Sequence, residues 1–302
     1  MTNELYGLIV PIVTPLTSEQ EVDVQALRRI CEFQVEAGVN VIFALGTTGE
    51  FYGLSRTQRR QVVEVVVEAV AGRVPVISGI CGDSTTASLA ALADCSQPGV
   101  SGFVTSTPYF FAYSQAELLD YFRVLSDAAG EPLILYNYPA RYRHLIDLDT
   151  ISTLLAEKRV CAIKDTQGDL DYMRGLLELK SSFPDFLVFE GALPNLALSA
   201  PLGTDGSVLA TGNLFPGECA RLWSLAEQRD WSALGDGVSR MWAFFQEIET
   251  TAVFIAAIKG CMSLRDICGP TTAHPTSPVG PEQMSRLQET MERYDRYLID
   301  AG

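Results

Sequence analysis

Chemistry on a carbonyl carbon is what a few residues of this sequence could do, and Lys164 is the first of them. It closes the run Cys161-Ala162-Ile163-Lys164, so its side chain leaves an apolar strand, where desolvation lowers an amine's pKa and leaves part of it neutral. A neutral amine attacks ketones. Paired with Asp165, the same lysine could instead be an idle strand end. The loop Gly46-Thr47-Thr48-Gly49-Glu50 has two glycines that free the backbone and two hydroxyls beside amide donors, an arrangement suited to a carboxylate. A plain turn followed by an N-cap would use the same residues. Tyr136, at the end of a predicted strand beside Asn137, carries a phenol that both donates and accepts protons, although a strand-end tyrosine can also be a packing residue with a wet hydroxyl. His144 and His274 are the two histidines, and neither falls at a predicted strand end. No spacing of His, Asp or Glu suggests a metal site. Imine chemistry on Lys164 is the economical reading.

These residues need a frame, and the hydrophobic pattern supplies one. Short apolar runs alternate with longer amphipathic stretches, which predicts repeated strand-helix units. Strands are expected at Leu8 to Val13, Val39 to Ala44, Val74 to Ser78, Gly102 to Thr105, Leu133 to Tyr136, Val160 to Lys164, Phe186 to Phe189 and Gly206 to Leu209. Helix starts are expected at Asp23, Ser55, Ser114 with Glu117 as a capping box, and Asp149. The predicted fold class is α/β: a (β/α)8 TIM barrel over residues 1–212, whose strands read as continuous apolar runs because both faces are buried. An open doubly wound sheet is the other architecture, but no GxGxxG follows the first strand. Residues 213–302 are expected to form a helical region that completes the barrel and packs against it, with helices at Glu218 to Arg229, Trp231 to Thr250 and Pro281 to Leu298 around a Pro-rich segment from Pro270 to Pro281. Its Trp223, Trp231, Trp242, Phe244 and Phe245 would pack on the barrel or form part of a subunit interface. In such a barrel the reactive groups belong at the C-terminal strand ends, where Thr47, Thr48, Glu50, Tyr109, Tyr136, Lys164 and Gly191 all fall.

Composition bounds the functions open to the chain. With 302 residues, 47% hydrophobic and 20% charged, it suits one large domain or a domain with an appendage. A formal charge of −15 disfavours nucleic acid and anionic membrane as partners and means that an anionic substrate must be held by local donors. No stretch approaches the roughly 20 apolar residues of a membrane span. Met1 to Pro11 carries Glu4 and no basic residue, unlike a secretory signal, so a cytoplasmic location is expected. The seven scattered cysteines lack the spacing of a disulfide framework or zinc site and read as reduced, mostly buried thiols.

Taken together, GTTGE at 46–50, TPYF at 107–110, LYNYP at 135–139, AIKDT at 162–166, Gly191 and GSVLATGN at 206–213 resemble the dihydrodipicolinate synthase and N-acetylneuraminate lyase family of class I aldolases. The motifs run in order through the barrel. The resemblance implies that Lys164 forms an imine with pyruvate or a 2-keto acid, that Tyr136 relays protons, and that Thr47 and Thr48 hold the carboxylate. It also places Gly191, Gly206 and Val208 along the pocket, and it implies no metal or organic cofactor. A homo-oligomer, dimer or tetramer, is expected on the same ground. Where the synthases carry a second tyrosine that completes a proton-relay triad across the subunit interface, this chain has Phe110, with Tyr109 the nearer phenol. Arg141 occupies the position that grips the second substrate's carboxylate, but the ThrGly that follows it in the synthases is Tyr142-Arg143 here. The strings YNYP and IKDT are more similar to the 2-keto-3-deoxy-sugar-acid aldolases of the family, and cleavage of such an acid to pyruvate and an aldehyde is the expected reaction. Dihydrodipicolinate synthase, N-acetylneuraminate lyase and a non-catalytic keto-acid sensor are the alternatives.

Overall fold

The apolar runs do what burial on both faces requires of them. In the computed structural model, which describes residues 5–298, eight parallel strands close into a barrel in sequence order, β1 pairing with β8. They are β1 (Gly7–Pro11), β2 (Val41–Ala44), β3 (Val76–Gly79), β4 (Val100–Ser106), β5 (Leu133–Asn137), β6 (Val160–Asp165), β7 (Leu187–Glu190) and β8 (Gly206–Val208). Every residue of β1, β2, β3, β5 and β8 is buried. β2 and β3 begin two residues later than the pattern suggests; before β2, the Val39 amide still donates to Gln34 O and closes the preceding helix. The ends of the two expected spans, residues 1–4 and 299–302, lie outside the described residues.

Around the barrel run α1 (Val24–Glu36), α2 (Arg56–Val70), α3 (Thr85–Cys95), α4 (Gln115–Ala129), the single turn α5 (Pro139–Tyr142), α6 (Leu148–Ala156), α7 (Leu170–Leu179), the short α8 (Leu196–Ser199) and α9 (Pro216–Glu227). Three expected starts are capped as read. The Asp23 side chain accepts from Ala26 N, and Ser55 with Gln58 and Ser114 with Glu117 form reciprocal capping boxes. The fourth is corrected: α6 starts behind Asp147, and Asp149 lies in its first turn, where a carboxylate favours the positive end of the helix.

Beyond the barrel come α10 (Trp231–Thr251), α11 (Phe254–Ser263) and α12 (Pro281–Leu298). α10 and α11 meet at 104°, which turns α11 back onto the molecule. The sequence pattern does not single out α11. From Ile255 to Met262 all its residues, Lys259 included, are buried, and a helix buried on every side shows no stripe. Trp223, Phe244 and Phe245 are buried and Trp231 is exposed, so most of these aromatics serve packing. Among the described residues no single helix is long and apolar enough to cross a membrane. All seven cysteines are free, and six of them are buried.

Two features tie the appendage to the barrel mouth. Glu50, at φ +55° at the end of the β2 loop, forms an ion pair with Lys259 of α11, both fully buried. Its other oxygen accepts from Ala273 N at 2.7 Å, while Lys259 Nζ donates to Thr271 O at 2.8 Å. The loop that carries Thr47 and Thr48 is therefore held from behind by the C-terminal segment.

Candidate active site

Strand register decides which side chains meet at the mouth. Lys164 of β6 lies level with Tyr136 of β5 and Phe189 of β7, and side chains level with one another on parallel strands share a face. Lys164 Nζ sits 4.0 Å from the centroid of the Tyr136 ring and 5.8 Å from that of Phe43. The next residue turns the other way: Asp165 accepts from Asn137 Nδ2 at 2.7 Å and makes no ion pair with the lysine. Among the described residues Lys164 has no carboxylate partner. Burial without a counter-charge pushes its ammonium down to about 7. The same physics raises the buried carboxyls behind it, Asp165 to about 6 and Glu190 to about 7.

The lysine opens on a pocket of about 270 Å³. Thr47, Thr48 and Tyr136 line it beside Lys164, with Gly191, Val208 and Arg141. Burial lifts the Tyr136 phenol to about 12, while the hydroxyls of Thr47 and Thr166 work against that rise. Gly191 is needed for space. A Cβ there would stand 2.1 Å from Thr166 Oγ1 and 2.9 Å from Lys164 Cε, contacts that would displace the lysine. Arg141, on α5, stacks over the Tyr138 ring at 5.8 Å and faces the rim.

Three expected pocket residues lie elsewhere. Phe110 is 65% exposed on this chain, packs edge-on against the similarly exposed Phe111 and does not line this chain's pocket. Gly206 opens β8, level with Gly7 and Phe189, and is absent from the pocket lining; a Cβ there would meet Gly7 O at 2.1 Å, so its missing side chain permits strand closure. Tyr109 is half-buried outside the pocket lining and packs 6.0 Å from Tyr142. Arg143, at φ +64°, donates to Phe110 O at the surface. His144 is structural: its Nε2 accepts from Tyr113 N at 2.7 Å.

Other lining residues escaped the sequence reading. Trp242, Phe245 and Glu249 of α10, Phe254 of α11, and Leu193 and Pro194 after β7 form the distal wall. The spacing of 242, 245 and 249 is that of one helical face, a signal that was present but reads equally well as packing. Burial raises the Glu249 carboxyl, and Arg141 opposes the rise. Tyr142 was also missed; its hydroxyl lies 3.0 Å from Thr47 Oγ1. Among the described residues no group of three or more His, Cys, Asp or Glu converges as a metal site.

Comparison with known proteins agrees with this arrangement. The profile of the dihydrodipicolinate synthetase family matches residues 4–294. An N-acetylneuraminate lyase of Enterobacter sp. (strain 638) is 31% identical over 71% of each chain. A 4-hydroxy-tetrahydrodipicolinate synthase of Pelobacter propionicus is 30% identical over 95% of this chain and 98% of its own. Among solved structures, dihydrodipicolinate synthase from Aquifex aeolicus superposes with a TM-score of 0.89 at 26% identity, covering 97% and 99% of the two chains. YagE, a prophage protein of the dihydrodipicolinic acid synthase family from E. coli K12 in complex with pyruvate, gives 0.88 at 25% over 96% and 98%. With the profile spanning nearly the whole chain and the barrel closed around a lysine at the end of its sixth strand, the chain belongs to the dihydrodipicolinate synthetase family.

Proposed function

We propose that this class I aldolase-lyase binds pyruvate, or a 2-keto acid containing it, as an imine on Lys164 and makes or breaks the bond between C3 and C4. The observation that carries the reading is a buried amine with no carboxylate partner, held near half-neutral at pH 7 on the floor of a pocket. A neutral amine attacks C2 of the keto acid, and loss of water gives the iminium. In the cleavage direction the C4 hydroxyl gives up its proton, the C3–C4 electrons move into the iminium, and an aldehyde leaves. The enamine that remains takes a proton at C3, and water then releases pyruvate and restores the amine. Thr47 and Thr48, in the loop after β2, would hold the carboxylate through their backbone amides and the Thr48 hydroxyl, leaving the Thr47 hydroxyl to Tyr136, which would move the protons. Arg141, at the rim, would meet the distal end of the substrate.

A 2-keto-3-deoxy sugar acid is the substrate class that the YNYP and IKDT strings favour, with Arg141 and Glu249 available to its hydroxyls. A second reading follows from the wall opposite. Trp242, Phe245, Phe254, Leu193 and Pro194 offer a polyol few partners and favour an aldehyde half with an apolar or aromatic portion. Borohydride reduction with pyruvate, followed by peptide mass analysis, tests the chemistry: an adduct on Lys164 is expected, and its absence would overturn the proposal. Assays with 2-keto-3-deoxygluconate, a 4-aryl-4-hydroxy-2-oxobutanoate, N-acetylneuraminate, and pyruvate with aspartate semialdehyde then separate the substrates.

A further inference from the structure

A buried phenol facing a single hydroxyl calls for a reason beyond packing, because phenylalanine would fill the same space without a polar group to satisfy. Tyr142 is such a phenol. It is 5% exposed and ends the one-turn helix α5. Its backbone is pinned, with its carbonyl accepting from Thr107 Oγ1 at 3.1 Å and lying 2.9 Å from His144 Nδ1. The ring packs 5.4 Å from that of Tyr136 and 6.0 Å from that of the half-buried Tyr109. Its hydroxyl meets Thr47 Oγ1 at 3.0 Å. The Thr47 hydroxyl also acts on Tyr136, so one threonine serves both phenols and opposes the rise that burial imposes on each. Phe110 and Phe111, in the loop after β4, carry no hydroxyl and are exposed.

We infer that Tyr142 completes, from within its own subunit, a hydroxyl chain Tyr136–Thr47–Tyr142 that moves protons to and from the substrate held on Lys164. Tyr142 is a positioning residue that acts through Thr47. The inference rests on the imine reading above. The proton count gives such a chain its work: a neutral amine and a ketone take up one proton and release one water on becoming the iminium, and the enamine forms by loss of one C3 proton. Tyr136 gives its proton to the carbinolamine oxygen and is refilled by Thr47, which is refilled by Tyr142. The same chain runs in reverse when C3 is deprotonated.

Exchange of the pyruvate methyl protons with deuterium oxide, followed by proton NMR, reads these steps without a second substrate. Tyr142→Phe should lower the maximal exchange rate at least about tenfold, with half-saturation by pyruvate and the final extent of borohydride trapping on Lys164 unchanged. Thr47→Val should fall as far, and the double variant no further, because the two act in series. A fluorinated tyrosine built in at Tyr142 leaves the packing in place and should move the alkaline limb of the exchange profile to lower pH. Exchange by Tyr142→Phe within about twofold of the parent, multiplying losses in the double variant, or an unmoved limb would each overturn the inference. If the unaltered protein forms no adduct at all, the imine reading fails and the inference falls with it.

Discussion

The chain has four lysines, and two of them are buried in opposite company. At the seam between barrel and appendage, Lys259 meets the Glu50 carboxylate and a backbone carbonyl. At the mouth, Lys164 meets aromatic rings and, among the described residues, no carboxylate. Burial lowers both ammonium groups, but at the seam Glu50 works against the fall. On the proposed reading, the difference separates a staple from a reagent. A charge sealed with its counter-ion holds two segments together, whereas one left without a counter-ion loses its proton near neutral pH and becomes a nucleophile. Position in the fold makes the choice: the β6 register turns Asp165 away from Lys164, and the left-handed Glu50 aims its carboxylate at α11.

The contrast can be broken at either lysine. Lys164→Met should abolish trapping of pyruvate while leaving the fold intact, a loss complete by mass analysis. Glu50→Ala should leave Lys259 buried without its partner and cost about 3–5 kcal/mol in denaturant unfolding. Glu50→Gln with Lys259→Met, which keeps the acceptor for Ala273 N, should recover most of that. Gly191→Ala would sharpen the contrast from the crowded side by pressing on Lys164 Cε, with imine formation slowed by roughly ten- to a hundredfold in stopped-flow trapping. The same contrast shows in stability against pH. The Lys164 pKa in the fold, about 7, lies below its ordinary 10.5, so the unfolded chain binds the extra proton between those values. The penalty for burying Lys164 is complete below about pH 7 and fades toward 10.5. Lys164→Met should therefore be more stable than the parent at pH 6 by on the order of a few kcal/mol, and the two should converge above pH 10.5.

What the sequence reveals follows from how far each signal reaches along the chain. The strands are legible because burial on both faces leaves continuous apolar runs, and Lys164, Tyr136 and Thr47 are legible because strand ends are where a barrel keeps its chemistry. Strand starts slip by up to two residues where a flanking valine such as Val39 or Val74 is apolar but still in the loop. α11 has no polar face to mark it, and the Glu50–Lys259 pair joins residues that only the folded chain brings together. Phe110 reads as a pocket residue from its place in TPYF, but on this chain it is exposed and outside the pocket lining. Tyr142 stood in view as an oddity after Arg141, and its meaning depends on a contact with Thr47, far away in sequence.

Titration of the four lysines in protein labelled with 15N at the side-chain nitrogen tests the central claim most directly, with the Lys164 signal assigned by its absence in Lys164→Met. This nitrogen is expected to lose its proton near pH 7 and so to stand ready to attack a ketone at neutral pH. A Lys164 ammonium that keeps its proton up to the ordinary 10.5 would contradict it.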